Sequence, residues 1–297
     1  MEVLGKELRV DGRVIKIGHL DGEGYQFLDD PVAALEALKK SKQRLDLFTF
    51  TQRLSDPQPR YNFPMEWDNM AALRVSTYDE WLTHQISSRV RNTVRKTAKD
   101  GIVVREVPFD DDLLRGISAI YNETPVRQGR RFPHYMLDLE SLRKMKSTFL
   151  SQSIFIGAFY EERLIGFIKL VTDELRTQAG TMHILSMIQH RDKAPTNALI
   201  AQAVRSCADR GISYLWYVKF SYGKKLHDSL AEFKRRNGFQ KVDIPRYYVP
   251  LTLAGRIGLR LALHRDLLDW VPEPLAATYR KAREFWYEKK FPSLRST

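Results

Sequence analysis

The segment Tyr121–Tyr135 (YNETPVRQGRRFPHY) carries the densest cluster of polar side chains in the sequence. A carboxylate or an imidazole with a pKa near neutrality can accept a proton during catalysis, so Glu123 and His134 are candidate bases. Arg127 and Arg131 could each clamp a phosphate or a carboxylate through two parallel hydrogen bonds. The alternative is that Glu123 simply pairs with Arg127 at the end of a helix, because residues four apart share a helix face.

A second group of candidates surrounds the predicted start of a later helix, in the stretch HRDKAPTN. The first amides of a helix have no intrahelical partner and lie at the positive end of its dipole, so they attract anions. We therefore predict that an anion binds near Ile188, Arg191, Lys193, Ala194, Thr196 and Asn197. The alternative is that Arg191 and Lys193 belong to a solvated loop beside a helix cap.

Composition limits the class of protein. The chain has 297 residues, a formal net charge of +12 and 43% hydrophobic residues, which excludes wholesale disorder. It has no apolar run long enough to span a bilayer and no signal-peptide core. Cys207 stands alone and the histidines are scattered, so we predict no disulfide, no metal and a cytoplasmic location. The positive charge indicates a polyanionic partner: a phosphorylated cofactor, a nucleic acid or an anionic membrane.

Apolar periodicity predicts alternating helices and strands, and hence a mixed α/β fold. The segment 1–70 is expected to hold short strands around a helix at 31–40, with a proline-rich linker at 55–69. Thr77 and Glu80 form a capping box that should open a helix ending at Asp100. The clearest pattern is a β-hairpin, SIFIGAFYEERLIGFIKLVT.

These residues, and the order of the elements, resemble the GNAT superfamily of N-acyltransferases. IFIGAFYEERLIGFIKLV is similar to the central hairpin of that fold. The stretch HILSMIQHRDKAPTNALIAQAVRSCADRGISYLWY resembles its fourth strand, pyrophosphate loop, third helix and fifth strand. The segment TYDEWLTHQISSRVRNTVRKTAKDGIVVREV and the pair Phe233-Lys234 resemble the Fem-type branch. That branch comprises aminoacyltransferases that build peptidoglycan bridges and their acyl-CoA-using relatives.

The resemblance covers about residues 71–250 and implies three parts. They are a shortened N-terminal α/β half-domain (1–70), a GNAT-like acyltransferase domain (71–250) and a basic amphipathic helical tail (251–297). A basic helix that bears aromatic residues can lie on an anionic membrane, which would place the protein at the inner face of the membrane. The alternative for the tail is a helical hairpin packed on the protein's own surface.

The resemblance also implies roles for individual residues. The pyrophosphate of CoA would bind amides in the motif Arg191-x-x-Ala194-x-Thr196, although both glycines that the family usually has there are missing. Lys234 stands where the family usually has its tyrosine general acid, so Tyr222 is the candidate substitute. His183 lies on the strand that contacts the acyl donor, and we expect it either to bind substrate or to be a core residue.

The sequence thus predicts an N-acyltransferase that moves an acyl group, with acetyl first, from acyl-CoA to an amine. The acceptor would be small or would belong to a lipid-linked glycan or peptide. Two alternatives stay open. One is a Fem-type transferase that uses aminoacyl-tRNA, and the other is a non-catalytic GNAT-fold module that binds RNA or an anionic membrane, with free nucleic acid ranked below a membrane as partner.

Overall fold

A single eleven-stranded mixed sheet runs through the molecule, which confirms the predicted α/β class. The computed structural model describes residues 2–41, 44–221, 229–265 and 273–290. The strands are β1 (Glu2–Val3), β2 (Lys6–Asp11), β3 (Ile17–Leu20), β4 (Leu47–Thr51), β5 (Met65–Arg74), β6 (Val103–Glu106), β7 (Val126–Arg127), β8 (Arg130–Arg131), β9 (Ser153–Tyr160), β10 (Arg163–Thr172), β11 (Gln178–Ser186), β12 (Tyr214–Lys219) and β13 (Gln240–Pro250). The helices are α1 (Pro31–Lys40), α2 (Tyr78–Glu80), α3 (Ser88–Lys99), α4 (Asp111–Tyr121), α5 (Leu139–Lys146), α6 (Pro195–Asp209), α7 (Ser229–Arg236), α8 (Leu253–Arg260) and α9 (Glu273–Lys290).

The strand order is β1-β2-β3-β4-β13-β5-β12-β11-β10-β9-β6, and β7 and β8 form a separate hairpin. Neighbouring strands of the sheet are antiparallel, except that β3 pairs with β4 and β11 with β12 in parallel. β13 lies between β4 and β5, so the sheet continues across the boundary predicted at residue 70. The segment 1–70 and the rest of the chain are therefore joined through backbone hydrogen bonds.

The prediction of a linker over residues 55–69 was wrong at its C-terminal end. β5 begins at Met65, directly after Pro64, and pairs with both β13 and β12. The prolines mask this strand in the sequence, and both of its partners lie in the last third of the chain. Because β5 is stabilised by two strands that are distant in sequence, the residues near it give no local signal for a strand of this length.

The predicted continuous helix to Asp100 is also wrong, because it breaks into two. Thr77 accepts a hydrogen bond from the amide of Glu80, as the capping box predicts, but α2 passes into a π-helical turn at Trp81–Gln85. The buried Trp81 donates its indole N–H to the carbonyl of Asn237. Ser87 then caps α3. The helix is interrupted here because Trp81 is hydrogen-bonded to the loop after α7.

The hairpin of β9 and β10 is confirmed, with Glu161 and Glu162 both in left-handed backbone conformation at the turn. Helix α4 packs on one face of β10, at Leu164. The close approach is possible because Gly116 has no side chain, and a Cβ there would overlap Leu164. Helix α6 packs on the other face, at Gly166, where Leu199 approaches. The β9–β11 layer is thus covered on both sides.

The tail divides into two helices with different surroundings. Gly255 and Gly258 bring α8 against the backbone of Asp46 and the side chain of Ile15, so α8 packs on the N-terminal strands. Helix α9 contacts β8 and leaves large apolar side chains exposed, including Trp286. Residues 266–272 and 291–297 of the predicted tail lie outside the described residues. Within the described ranges, none of the helices combines the length and apolar character that a membrane span requires.

Candidate functional site

A cleft opens where two parallel strands part. β11 and β12 pair only from Gln178 to Gly180, opposite Tyr214 to Trp216. β11 then continues to Ser186 with a bulge at Met182, since Leu170 pairs with Thr181 and Lys169 with His183. Bulges re-aim side chains and are common beside active sites. The cleft is therefore lined by the second half of β11 on one side and by the end of β12 on the other.

β12 bends sharply on its side of the cleft. Val218 has φ = +47°, a left-handed conformation that is strained for a β-branched residue. Lys234 of α7 is completely buried, donates from Nζ to the carbonyl oxygen of Lys219, and lies 4.8 Å from the ring centre of Tyr217. Lys234, which stands where the resemblance predicts a tyrosine, therefore reaches the end of β12, at the cleft.

The predicted anion-binding loop begins α6, as expected from the sequence. Ala194 has φ = +49° and precedes Pro195, the first helical residue. The hydroxyl of Thr196 lies 3.0 Å from that of Ser186, and the side-chain amide of Asn197 donates to Asn237 at 3.1 Å. These side chains hold the helix start against β11 and against the loop after α7.

The carboxylate of Glu123 fills the first part of the same loop. It accepts hydrogen bonds from the amides of Ile188 (2.8 Å) and Gln189 (2.9 Å). It also accepts a hydrogen bond from the guanidinium of Arg127 at 2.8 Å. Glu123, which was a candidate base, is thus engaged by three donors, and its geometry supports the ion-pair interpretation.

Arg127 has a similar structural role. Besides Glu123, its guanidinium donates to the carbonyls of Ser186 (3.0 Å) and Ile120 (2.8 Å), and it lies 5.3 Å from the ring centre of Phe132. The pair therefore ties the end of α4 to the end of β11. This geometry argues against the prediction that Arg127 anchors the acceptor, because its guanidinium already binds groups of the protein.

The other basic candidates lie nearer the surface. Arg191 is exposed, and Lys193 lies 4.4 Å from the ring centre of Tyr160. Arg131 is exposed on β8, beside the contact with α9. Tyr222, the candidate general acid, lies outside the described residues. In the described part of the chain, no group of acidic, histidine and cysteine side chains could hold a metal ion.

His134 and His183 come together on the face of the sheet that α4 and α5 cover. Both are partly exposed, and desolvation lowers the pKa of each, aided by positive neighbours. The charge of Lys146, which the sequence analysis did not single out, lowers the pKa of both, and Lys169 pairs with His183 across the strands. One signal was available in the sequence, because Lys169 interrupts an otherwise apolar strand.

A second opening lies beside the start of α6, next to helices α3 and α7. It has a volume of about 470 Å³. Arg89 and Arg236 contribute positive charge to it, although Arg236 also pairs with Glu232 at 2.7 Å. Asn197, at the start of α6, and Asn237, after α7, both line this opening.

No family model matches the sequence, and no curated protein is similar to it at a significant level. Solved structures do match its fold. FemX superposes with a TM-score of 0.62 at 10% identity, over 86% of each chain. The C-terminal domain of a putative lysylphosphatidylglycerol synthetase from Agrobacterium fabrum gives 0.54 at 13% identity, over 86% of this chain and 84% of that one.

L-PGS from Bacillus licheniformis gives a TM-score of 0.54 at 13% identity, over 82% of this chain and 81% of that one. These likenesses confirm the fold predicted from the sequence and extend beyond the segment 71–250, since each covers more than four fifths of the chain. The chain therefore has the GNAT-type fold in the form seen in FemX, in the domain from Agrobacterium fabrum and in L-PGS.

Proposed function

We propose that this protein transfers an aminoacyl group from tRNA to an amine, by direct attack within one complex. The observation that carries the proposal is the position of Glu123, whose carboxylate binds the amides of Ile188 and Gln189, directly before the motif where GNAT enzymes bind the pyrophosphate of CoA. The acyl-CoA donor that the sequence favoured is the competing candidate.

The loop is a poor partner for a pyrophosphate for two reasons. A fixed carboxylate just before the motif repels an anion that binds the neighbouring amides, and the repulsion is strongest where little water screens it. The loop also carries Cβ atoms at Ala194 and Thr196, where the family has glycines that allow close approach of a phosphate. The aminoacyl ester at the 3′ end of tRNA requires no pyrophosphate site, so these features do not oppose it.

Two further observations support a tRNA donor. FemX and the lysylphosphatidylglycerol synthetase domain have the same fold, and the Fem-type branch includes tRNA-dependent transferases. The net charge of +12 suits a polyanion, because each phosphate contact releases counterions. Arg89 at the opening beside α6 would face the acceptor stem of such a donor.

The chemistry follows from the residues at the cleft. The acceptor's amine attacks the ester carbonyl, and the positive charge of the buried Lys234, beneath the end of β12, would favour the tetrahedral oxyanion that forms in the cleft. His134 is the proposed base, because its lowered pKa keeps it neutral and able to accept the ammonium proton. The C–O bond then breaks, and the 3′ hydroxyl of tRNA leaves with a proton as the amide forms.

Binding measurements separate the two donors. We expect acetyl-CoA titrated into the purified protein by calorimetry to give no heat of binding, and mass spectrometry to find no copurified CoA. Aminoacylated tRNA should bind in a filter assay, with an affinity that falls steeply between about 50 and 200 mM salt. Micromolar binding of acetyl-CoA without tRNA binding would overturn the proposal in favour of acyl-CoA.

An anionic membrane is proposed as a second partner, through α9 rather than the whole tail. This helix exposes Leu275, Tyr279, Phe285 and Trp286, and Lys290 lies 4.7 Å from the Trp286 ring centre. Aromatic residues among lysines suit the headgroup region of a bilayer. Double substitution of Phe285 and Trp286 by serine should abolish co-sedimentation with phosphatidylglycerol vesicles, and unchanged co-sedimentation would contradict this role.

A further inference from the structure

Helix α5 ends in a lysine that is completely buried. Lys146 has no accessible surface, and its Nζ has no hydrogen-bond partner. The ring centres of Tyr121 and Phe167 each lie 5.2 Å from this nitrogen. Cation–π contacts with two rings offset only part of the free energy that it costs to bury an ion. The ammonium thus retains unused hydrogen-bond donors.

A second buried lysine lies beside the first, but it is fully hydrogen-bonded. The Nζ of Lys169 donates to the carbonyls of Lys146 (2.8 Å) and Thr148, and contacts the Thr148 hydroxyl at 3.2 Å. It therefore adds positive charge and fixes the end of α5. Burial lowers the pKa of Lys169 to about 8, and burial together with Lys169 lowers that of Lys146 to about 7.

Two imidazoles form the solvent side of the same cluster. His134 stacks on Tyr121 with ring centres 5.2 Å apart, and His183 lies directly across from Lys169 on β11. Burial and the surrounding charges lower the pKa of His183 to about 3. Among the described residues, none of the four basic groups pairs with a carboxylate. The positive charge of the two lysines is therefore not balanced by a carboxylate, and the two imidazoles beside them are held in the uncharged form.

We infer that Lys146 and His183 bind an anionic group of the acceptor, either a carboxylate or a phosphate, beside the cleft between β11 and β12. An oxyanion would accept the unused hydrogen bonds of Lys146 and would offset the charge of Lys169. His183 lies on the part of β11 beyond its last residues paired with β12, where the cleft begins. The assignment of the anion to the acceptor rests on the proposed function, whereas the anion site itself does not.

The test titrates sodium sulfate and sodium acetate into the wild-type protein, followed by NMR. Lys146→Met keeps the length and apolar stem of the side chain, and Lys144→Met, on the exposed face of α5, is the matched control. A charge-assisted hydrogen bond is worth about 1.5–3 kcal/mol, so Lys146→Met should weaken anion binding roughly 10- to 100-fold. Tighter binding of sulfate than of acetate would indicate an acceptor that bears a phosphate. Tighter binding of acetate would indicate an acceptor that bears a carboxylate.

The pH dependence provides a measurement that needs no variant. Both anions stay ionised above about pH 6, so a change in affinity between pH 6 and 9 reflects the titration of groups in the protein. Affinity should fall as pH rises, because Lys146 and Lys169 lose their protons. His183, whose pKa is about 3, and Tyr121, whose pKa is raised, change little over this range, and the lowered pKa of His134 moves its titration toward the acid end.

Three results would overturn the inference: neither anion binds, Lys146→Met binds them as tightly as wild type, or affinity is independent of pH. Lys146→Met should fold at least as stably as wild type, because it removes an unpartnered buried ion without orphaning a hydrogen-bond acceptor. No donor enters the titration, so a failure of the tRNA proposal would leave its result unaffected.

Discussion

Replacement of Glu123 by glutamine should lower the free energy of unfolding by about 2–4 kcal/mol. The carboxylate accepts from two amides at 2.8 and 2.9 Å and from Arg127 at 2.8 Å. Glutamine has the same shape, but one carboxylate oxygen becomes an NH₂ group that faces a donor. The substitution therefore tests whether Glu123 holds the loop before α6 in place.

The magnitude follows from the number of contacts and their exposure. A hydrogen bond to a charged group contributes about 1.5–3 kcal/mol, and at least one of the three is lost outright. The ion pair is nearly buried, with 15% of the Glu123 side chain and 10% of the Arg127 side chain exposed. Arg127 keeps its bonds to two carbonyls, which limits the loss.

Urea denaturation of four proteins measures the effect: wild type, Glu123→Gln, Arg127→Met and the double variant. We expect a coupling energy of about 1–3 kcal/mol between the two positions. Glu140→Gln, on the exposed surface of α5, is the control and should change stability by less than about 0.5 kcal/mol.

The opposite pattern would refute this reasoning. If Glu123→Gln unfolds like wild type and only its transfer activity disappears, Glu123 is the catalytic base that its position in the sequence first suggested. If the double variant loses the sum of the two single losses, the pair does not act as a unit.

Three further predictions concern stability. Arg246→Met should cost about 2–4 kcal/mol in urea denaturation, because it leaves the carboxylates of Asp68 and Glu23 without their shared partner. Gly255→Ala should lower the melting temperature and undock α8, since a Cβ there would overlap a backbone oxygen just before β4; an unchanged melting temperature would contradict the packing. Burial alone would raise the pKa of Glu106, but hydrogen bonds from two side chains at the C-terminal end of α6 lower it below 4.5. Its contribution to stability is therefore complete above pH 4.5 and is lost as pH falls through the lowered pKa, so the stability gap between wild type and Glu106→Gln should shrink in acid.

Local signals in the sequence predicted most elements around the centre of the sheet. The hairpin of β9 and β10 is marked by two apolar runs about a polar turn, and the structure places Glu161 and Glu162 at that turn. The cap at Thr77 forms as expected. These features depend on residues within a few positions of each other, which is why a single sequence reveals them.

Long-range contacts explain the errors. β5 exists because β12 and β13 flank it, and neither strand is near it in sequence. The break at Trp81–Gln85 depends on the indole of Trp81 reaching Asn237, 156 residues away. Propensity cannot anticipate such contacts, because tertiary packing overrides it.

The candidate site was predictable only in part. His134 and His183 were identified from the sequence and lie in one cluster, but the lysines beside them were not. Lys146 sits at the end of an ordinary basic helix, where a solvated lysine is the norm. Its burial results from the rings of Tyr121 and Phe167, which come from α4 and β10. Only the folded chain brings these elements together.

The central claim is that an aminoacyl group passes from tRNA to an amine on this fold. The most direct measurement incubates the protein with tRNA charged with radiolabelled amino acids and an extract of polar metabolites and lipids. Alkali cleaves the ester on tRNA but spares an amide, so transfer appears as alkali-stable label. We predict that such label forms with the wild type and is lost with Lys234→Met. Label that forms only from radiolabelled acetyl-CoA, and never from charged tRNA, would contradict the account.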